Sequence, residues 1–138
     1  MKSARIAAVI DPLRGRKLDA HYLGYFECFN RQLFFEAHEV LEQLWLAQRH
    51  GSDGAYYKGL IQLAGAFVHL QKGRVKPAAA LFRLAQDNLQ KYAPSHLSLD
   101  LNQTSALIQD WRRKAESPEF RAESFCAGTP PRLELLPR

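Results

Sequence analysis

The segment over about residues 55–72 constrains the fold most, because it is apolar around nearly its whole circumference when residues are placed about 100° apart. A helix of this kind belongs in the interior of a protein, with other helices around it. Its apolar positions are Tyr56, Tyr57, Leu60, Ile61, Leu63, Ala64, Phe67, Val68 and Leu70. One narrow polar stripe interrupts this surface and carries Lys58, Gln62 and His69, with Gly65 beside them. The segment therefore predicts a buried central helix with one polar edge.

The remaining periodic segments also have the helical spacing, and no stretch alternates well enough to predict a strand. Besides the central helix, the spacing predicts one helix from near Asp19, one over about 32–48, one with Pro77 in its first turn that ends near Tyr92, and one from Asp100. Asp100 with Gln103 resembles a capping box at the start of the last of these. We therefore predict an all-α fold, a compact antiparallel helical bundle of about five helices over residues 18–115.

The two ends of the chain differ from this helical body. Residues 1–17 hold most of the net charge of +5, with five basic residues against one acidic residue. Such a basic arm could contact nucleic acid or an acidic partner, but dispersed charges without interleaved aromatic residues are more typical of a solvated segment. Residues 116–138 are a proline-rich tail that packs on the bundle or trails from it. Leu133, Leu135 and Leu136 are candidates to hold this tail on the body.

The two cysteines, Cys28 and Cys126, bear on the compartment and on metal binding. They share no metal-ligand spacing and are too few for a disulfide framework, so we expect free thiols in a cytoplasmic protein. The composition, with 46% hydrophobic and 24% charged residues, excludes a disordered protein. No segment approaches the roughly 20 apolar residues of a membrane span, so we expect no membrane partner. The sequence leaves a homo-oligomer open.

One stripe of the second predicted helix carries His38, Glu42 and Trp45. Residues three and four apart lie on one helix face, so an imidazole and a carboxylate stand side by side, with an indole one turn further on. Large apolar residues bound the pair on both sides, which predicts that His38 and Glu42 are at least partly buried. Burying such groups costs free energy unless they find partners, and this marks a candidate site. Glu39 falls on the opposite, polar face and is expected to be exposed to solvent. Trp45 by itself is more typical of a core residue.

The polar stripe of the central helix is the expected counterpart of this one. Two helices that each carry one polar stripe in an apolar surround satisfy those groups best by facing each other. We therefore predict one internal polar cluster of His38, Glu42, Lys58, Gln62 and His69. A helix-interior glycine costs about 1 kcal/mol relative to alanine, so Gly65 indicates the close approach of a neighbour or a ligand. The simpler alternative is a hydrogen-bonded network that only fixes the register of the helices.

Two separated motifs occur here in the same order as in a known family. They are Phe34-Phe35-Glu36-Ala37-His38-Glu39-Val40-Leu41-Glu42 with Trp45, and Tyr57-Lys58-Gly59-Leu60-Ile61-Gln62-Leu63-Ala64 with His69-Leu70. Over about residues 20–100 the chain resembles the bacterial and archaeal family called domain of unknown function 309. The family's hallmark, H-x-x-x-E-x-x-W, is met by His38, Glu42 and Trp45. The resemblance implies a small all-helical fold, and the motif is the basis on which the family is suspected of metal binding, while its function is unestablished.

Two hypotheses of function follow. The first is a binding or interaction protein whose internal polar cluster, with Trp45 beside it, holds a small ligand or metal, or stabilises the fold for a partner. The second is a hydrolase in which His38, Glu42 and His69 ligate a divalent metal. Three protein ligands with an open position suit catalytic zinc, but Lys58 and Gln62 are poor ligands for it. The H-E-x-x-H and Glu-x-x-His metal motifs are both missing. We therefore favour the first hypothesis, with His38 and Glu42 as the candidate metal ligands.

Overall fold

Helices make up most of the chain in the computed structural model, which describes residues 2–137 apart from the side chains of Cys126 and Ala127. The expected free thiol of Cys126 therefore lies outside what is described. The helices are α1 (Lys2–Ile10), α2 (Ala20–Asn30), α3 (Phe34–Gln48), α4 (Gly54–Gln71), α5 (Val75–Leu89), α6 (Leu101–Glu116) and α7 (Ala122–Ala127). Single 3₁₀ turns follow α1 and α5, at Asp11–Leu13 and Gln90–Tyr92. Strands β1 (Ser95–His96) and β2 (Leu99–Asp100) pair antiparallel as a small hairpin.

The prediction of an all-α fold is confirmed, but the number of helices is seven within the described residues rather than about five. The five predicted helices correspond to α2 to α6. The short helices α1 and α7 lie in the two segments that were assigned to the arm and the tail. The two strands have only two residues each, which is too short for an alternating pattern to appear in the sequence. None of the helices in residues 2–137 has the length and apolar character needed to cross a membrane.

Helix α4 is the central element, as its apolar circumference predicts. It packs on α3 on one side and on α5 on the other, while α2 packs on α3 and α6 packs on α5. Phe67 of α4 lies at the centre of an aromatic core to which five other helices each contribute one ring. The ring centroids lie 5.0 Å from Phe34 of α3, 5.1 Å from Phe82 of α5, 5.5 Å from Trp111 of α6, 5.5 Å from Phe125 of α7 and 5.7 Å from Phe29 of α2. These contacts tie the helices to one another through a single residue.

The helix starts predicted at two aspartates are confirmed. The side chain of Asp19 accepts a hydrogen bond from the backbone N–H of His21 at 2.7 Å, where α2 begins. Asp100 Oδ1 accepts from the backbone N–H groups of Asn102 and Gln103, both at 3.0 Å, where α6 begins. Each aspartate thereby satisfies amides that the first turn of a helix leaves without a partner.

The N-terminal segment is not solvated throughout. Residues 2–10 form α1, and its residues Ile6 and Ile10 are buried against Val40 of α3. Gly24 of α2 permits the close approach of α1, because a Cβ at this position would lie 3.0 Å from Val9 Cγ1. The charges of the segment suggested an arm, whereas its buried apolar residues make it part of the folded body.

The C-terminal tail is attached to the body by hydrogen bonds and by buried apolar side chains. The side chain of Asn30 donates to the carbonyl of Leu133 at 2.9 Å and accepts from its N–H at 2.8 Å. Leu133 is buried, Leu135 forms a β-bridge with Leu99, and Leu136 is an exposed residue. Of the three leucines proposed to hold the tail, Leu133 therefore makes the largest contribution to the core.

Candidate functional site

The pair His38 and Glu42 lies at the surface of α3 rather than in the interior. His38 Nε2 is 3.5 Å from Glu42 Oε2, and the two side chains are 30% and 31% exposed. The partial burial predicted from the sequence is therefore observed, and the i, i+4 spacing brings the imidazole and the carboxylate together as expected.

Helix α1 covers one edge of this stripe and supplies a cationic partner to Glu42 and to Glu39. Lys2 Nζ lies 3.3 Å from Glu42 Oε1, so the carboxylate of Glu42 has a cationic group on each side when His38 is protonated. Arg5 Nη2 donates to both carboxylate oxygens of Glu39 at 2.9 Å. The prediction that Glu39 is exposed to solvent is wrong, because α1 packs over that face and leaves Glu39 only 5% exposed. The guanidinium of Arg5 offsets the free-energy cost of burying this charged carboxylate.

Trp45 connects the motif to the central helix. Lys58 Nζ of α4 lies 4.7 Å from the centroid of the indole ring, which is within the range of a cation–π contact. Trp45 itself is half-buried and packs against the hydrophobic core. This contact is the point at which the polar stripes of α3 and α4 meet.

The other two polar residues of the α4 stripe, Gln62 and His69, do not join His38 and Glu42. Gln62 Oε1 accepts a hydrogen bond from Asn88 Nδ2 of α5 at 2.8 Å. His69 Nδ1 is buried and has no hydrogen-bond partner among the described residues. Burial, followed by the charges of Arg74 and Lys72, lowers the pKa of this imidazole below its usual 6.5. Among the described residues, no hydrogen bond or ion pair joins His38 or Glu42 to α4.

The packing of α4 on α5 explains why the predicted internal cluster is divided. A Cβ at Gly59 would lie 2.8 Å from Leu89 Cγ, and a Cβ at Gly65 would lie 3.3 Å from Leu81 Cδ1. These glycines bring α5 close to the polar edge of α4, so Gln62 meets Asn88 rather than Glu42. The neighbour that the sequence indicates at Gly65 is therefore the side chain of Leu81.

The residues do not fit a metal site with three protein ligands. Within the described part of the chain, no three His, Cys, Asp or Glu side chains are grouped so that they could hold a metal ion. His38 and Glu42 supply two ligands, and the ammonium group of Lys2 already lies beside the second oxygen of Glu42. His69, the third ligand of the hydrolase hypothesis, does not join them.

The comparison with known families concerns helices α2 to α5. Residues 22–88 match the sequence model of a family whose description is a domain of unknown function, DUF309. This part of the chain belongs to the DUF309 family. It contains α3 and α4 entirely, together with most of α2 and α5. No curated protein and no solved structure matches the chain.

Two exposed apolar side chains flank the DUF309 motif and complete what we call the α3 surface, defined by Phe35, His38, Glu42, Trp45 and Leu46. Phe35 is 48% exposed and Leu46 is 52% exposed. The ring of Phe35 lies 5.8 Å from that of His38, centroid to centroid. Sequence reasoning placed Phe35 and Leu46 only as apolar neighbours of the motif. No helix within residues 2–137 covers these two side chains. Because such coverage depends on how distant segments pack, the local sequence pattern could not predict their exposure.

A second polar cluster, which sequence reasoning missed, holds the β-hairpin on α2 and α4. The hydroxyl groups of Tyr22 and Tyr56 lie 2.6 Å apart, and Tyr22 donates to the carbonyl of Leu97 at 2.9 Å. His96 Nε2 lies 2.7 Å from Asp53 Oδ1. Burial is the largest cause of the raised pKa of both tyrosines, so each stays a neutral donor. The partners are far apart in sequence, so no local pattern joins them.

Proposed function

We propose that this protein is an interaction module that binds through the α3 surface, and that the occupant of this surface is a second copy of the chain. The observation that carries the proposal is the exposure of Phe35 and Leu46 on either side of the half-exposed motif. Exposed apolar side chains with polar groups beside them are found at protein–protein interaction sites.

The arrangement of the α3 surface suits a two-fold interface. Phe35 and Leu46 are eleven positions apart, which is about three turns or ~16 Å along the helix, so both lie on nearly the same side. A two-fold axis through the middle of α3 brings Phe35 of one copy against Leu46 of the other. Such an isologous contact uses the same residues on both subunits.

The charges on this surface are also complementary to themselves. Glu42 supplies a negative charge on this surface, and positive charges come from Lys2, beside Glu42, and from Lys58, over the ring of Trp45. Two copies that meet across α3 can therefore place the carboxylate of each beside a cationic group of the other.

Sedimentation velocity over a range of protein concentrations tests the proposal. The wild-type protein is expected to self-associate as its concentration is raised. Leu46→Glu should shift it to monomer by placing a charge in the interface. Leu84→Glu is the matched control, because Leu84 is similarly exposed but lies on α5, outside the α3 surface. A wild-type protein that stays monomeric, or equal disruption by both substitutions, would contradict the proposal.

Metal binding remains a separate hypothesis for His38 and Glu42, supported only by their proximity. We derive no hydrolytic step from it, because His69 does not complete a three-ligand set. Elemental analysis of protein purified without a metal-affinity tag tests it. A stoichiometric transition metal that is lost in His38→Ala would support the hypothesis, and protein without such a metal would end it.

Nucleic-acid binding by residues 1–17 is less favoured than the sequence alone suggests, because several of the basic groups have acidic partners. Lys2 pairs with Glu42, Arg5 with Glu39 and Arg14 with Asp11. No mobility shift of DNA or RNA is therefore expected at low salt, and a salt-sensitive shift that disappears without residues 1–17 would revive the hypothesis.

We also place the protein in the cytoplasm, which suits the free, buried thiol of Cys28.

A further inference from the structure

Two adjoining cavities run along α2 on the side away from α4. The first has a volume of about 490 Å³ and lies between α1 and α2, with Val9, Pro12 and Leu13 on one wall and Cys28 and Arg31 on the other. The second has a volume of about 240 Å³ and lies between α2 and the C-terminal tail, lined by Leu23, Phe26, Leu133 and Leu135 among others. Leu13, Arg16 and Glu27 line both cavities, so the two form one continuous groove.

Two guanidinium groups of this groove have no acidic partner. Among the described residues, Arg16 and Arg31 form no ion pair, although most of the other described arginines do. Arginine holds a carboxylate through two parallel hydrogen bonds, so an unpaired arginine at a cavity is suited to this group. The first cavity has these two guanidinium groups against one carboxylate, that of Glu27, which leaves an excess of positive charge there. Glu134 lines the second cavity, where Arg132 pairs with it at 2.6 Å.

The groove therefore combines a cationic end with apolar walls. We propose that it binds a long-chain carboxylate of the fatty-acid class. The carboxylate lies in the first cavity between Arg16 and Arg31, and the chain passes Leu13 into the second cavity toward Leu133. The volume of the first cavity is within the range of about 300–1,000 Å³ that is typical of small-molecule sites, and such sites are mainly apolar with a few polar groups that orient the ligand.

Titration of the full-length protein with cis-parinaric acid, a fluorescent fatty acid, tests this site. Saturable binding of one molecule per chain is expected, and Arg31→Ala and Arg16→Ala should each weaken it about tenfold, which corresponds to about 1.4 kcal/mol. Glu27→Gln should tighten binding by removing the opposing charge from the first cavity. Arg49→Ala is the matched control, since Arg49 is exposed and lines neither cavity. Equal affinity in all four variants would overturn the proposal.

Competition separates recognition of the head group from non-specific uptake of a chain. Laurate should displace cis-parinaric acid at a concentration where 1-dodecanol does not, because only laurate carries the carboxylate. Equal displacement by the two compounds would overturn the assignment of Arg16 and Arg31.

Discussion

Glu39 and Arg5 form the ion pair that local sequence patterns could not anticipate. Glu39 is buried, whereas the side chain of Arg5 is 52% exposed and reaches it from a helix more than thirty positions away. A glutamate exposed to solvent would tolerate replacement by glutamine with a change of less than about 0.5 kcal/mol. Because the carboxylate of Glu39 accepts both bonds from Arg5, we expect Glu39→Gln to lower the free energy of unfolding by about 1 kcal/mol.

Urea denaturation measures this loss. Arg49→Ala serves as the control, because Arg49 is exposed and forms no ion pair with any residue that the structure describes. The loss in Glu39→Gln should shrink when Arg5 is already replaced by glutamine, because the pair then no longer exists. Equal losses in the two backgrounds would mean that the ion pair does not stabilise the fold.

His69 gives the stability of the protein a dependence on pH. Its pKa in the folded state is lowered, mainly by burial, so the folded protein resists protonation there while the unfolded chain binds a proton near pH 6.5. The contribution of neutral His69 is complete above that pH and is lost progressively below it. As the pH falls from 7 to 5, we therefore expect the free energy of unfolding to decrease less in His69→Gln than in wild type. Denaturation at both pH values measures this, with the exposed His50→Gln as control. An unchanged pH dependence in His69→Gln would contradict the assignment.

Glu42 and His69 should behave as independent residues, because no contact joins them. We expect the losses in free energy of unfolding for Glu42→Leu and His69→Leu to add within about 0.5 kcal/mol in the double mutant. Trp45→Ala and Lys58→Ala, which remove the two sides of one contact, should not be additive. Chemical denaturation of these variants decides the matter, and strong coupling between Glu42 and His69 would restore the internal cluster predicted from the sequence.

At the scale of the elements, two glycines of α4 should respond to alanine in opposite ways. A Cβ at Gly59 would meet Leu89 Cγ at 2.8 Å in the core, so Gly59→Ala should destabilise the protein by about 1–3 kcal/mol. A Cβ at Gly65 would meet only the half-buried Leu81, at 3.3 Å, and this side chain can shift toward solvent. Gly65→Ala should therefore stabilise the protein by about 0.5 kcal/mol through helix propensity. Thermal unfolding distinguishes the two, and destabilisation by Gly65→Ala would show that Leu81 cannot shift.

Elements with a strong local signal could be predicted from the sequence, and those defined by distant contacts could not. The apolar circumference of α4 and the caps at Asp19 and Asp100 each depend on neighbouring residues, and all three are found. The pairing of His38 with Glu42 follows in the same way from helix geometry. The close packing of α4 against α5 depends on Gly59 and Leu89, thirty positions apart, so the partner that Gln62 finds on α5 could not be derived.

At the scale of the whole molecule, both ends of the chain contribute to the core. The boundaries predicted for the bundle, residues 18 and 115, exclude α1 and α7, yet Ile6, Phe125 and Leu133 are buried. We expect a fragment of residues 18–115 to unfold at a lower urea concentration than the full chain, because it exposes the apolar surfaces that these residues cover. Circular dichroism during urea titration measures the midpoint. An unchanged midpoint would establish residues 18–115 as the autonomous domain.

The convergence of six helices on Phe67 has a consequence for the way the protein opens. If one of the helices around α4 moves away from the core, it exposes the ring of Phe67, which the other helices also contact. Such a movement loses a favourable contact, and the helix that moves is not an independently folded unit. Helix α1 differs, because its buried residues gather around Val40 in a small cluster of their own. The helices α2 to α7 therefore form one cooperative body, and α1 is a segment that can detach from it. That segment carries Lys2 and Arg5, so its departure would alter the charge beside the DUF309 motif without unfolding the helix on which the motif lies.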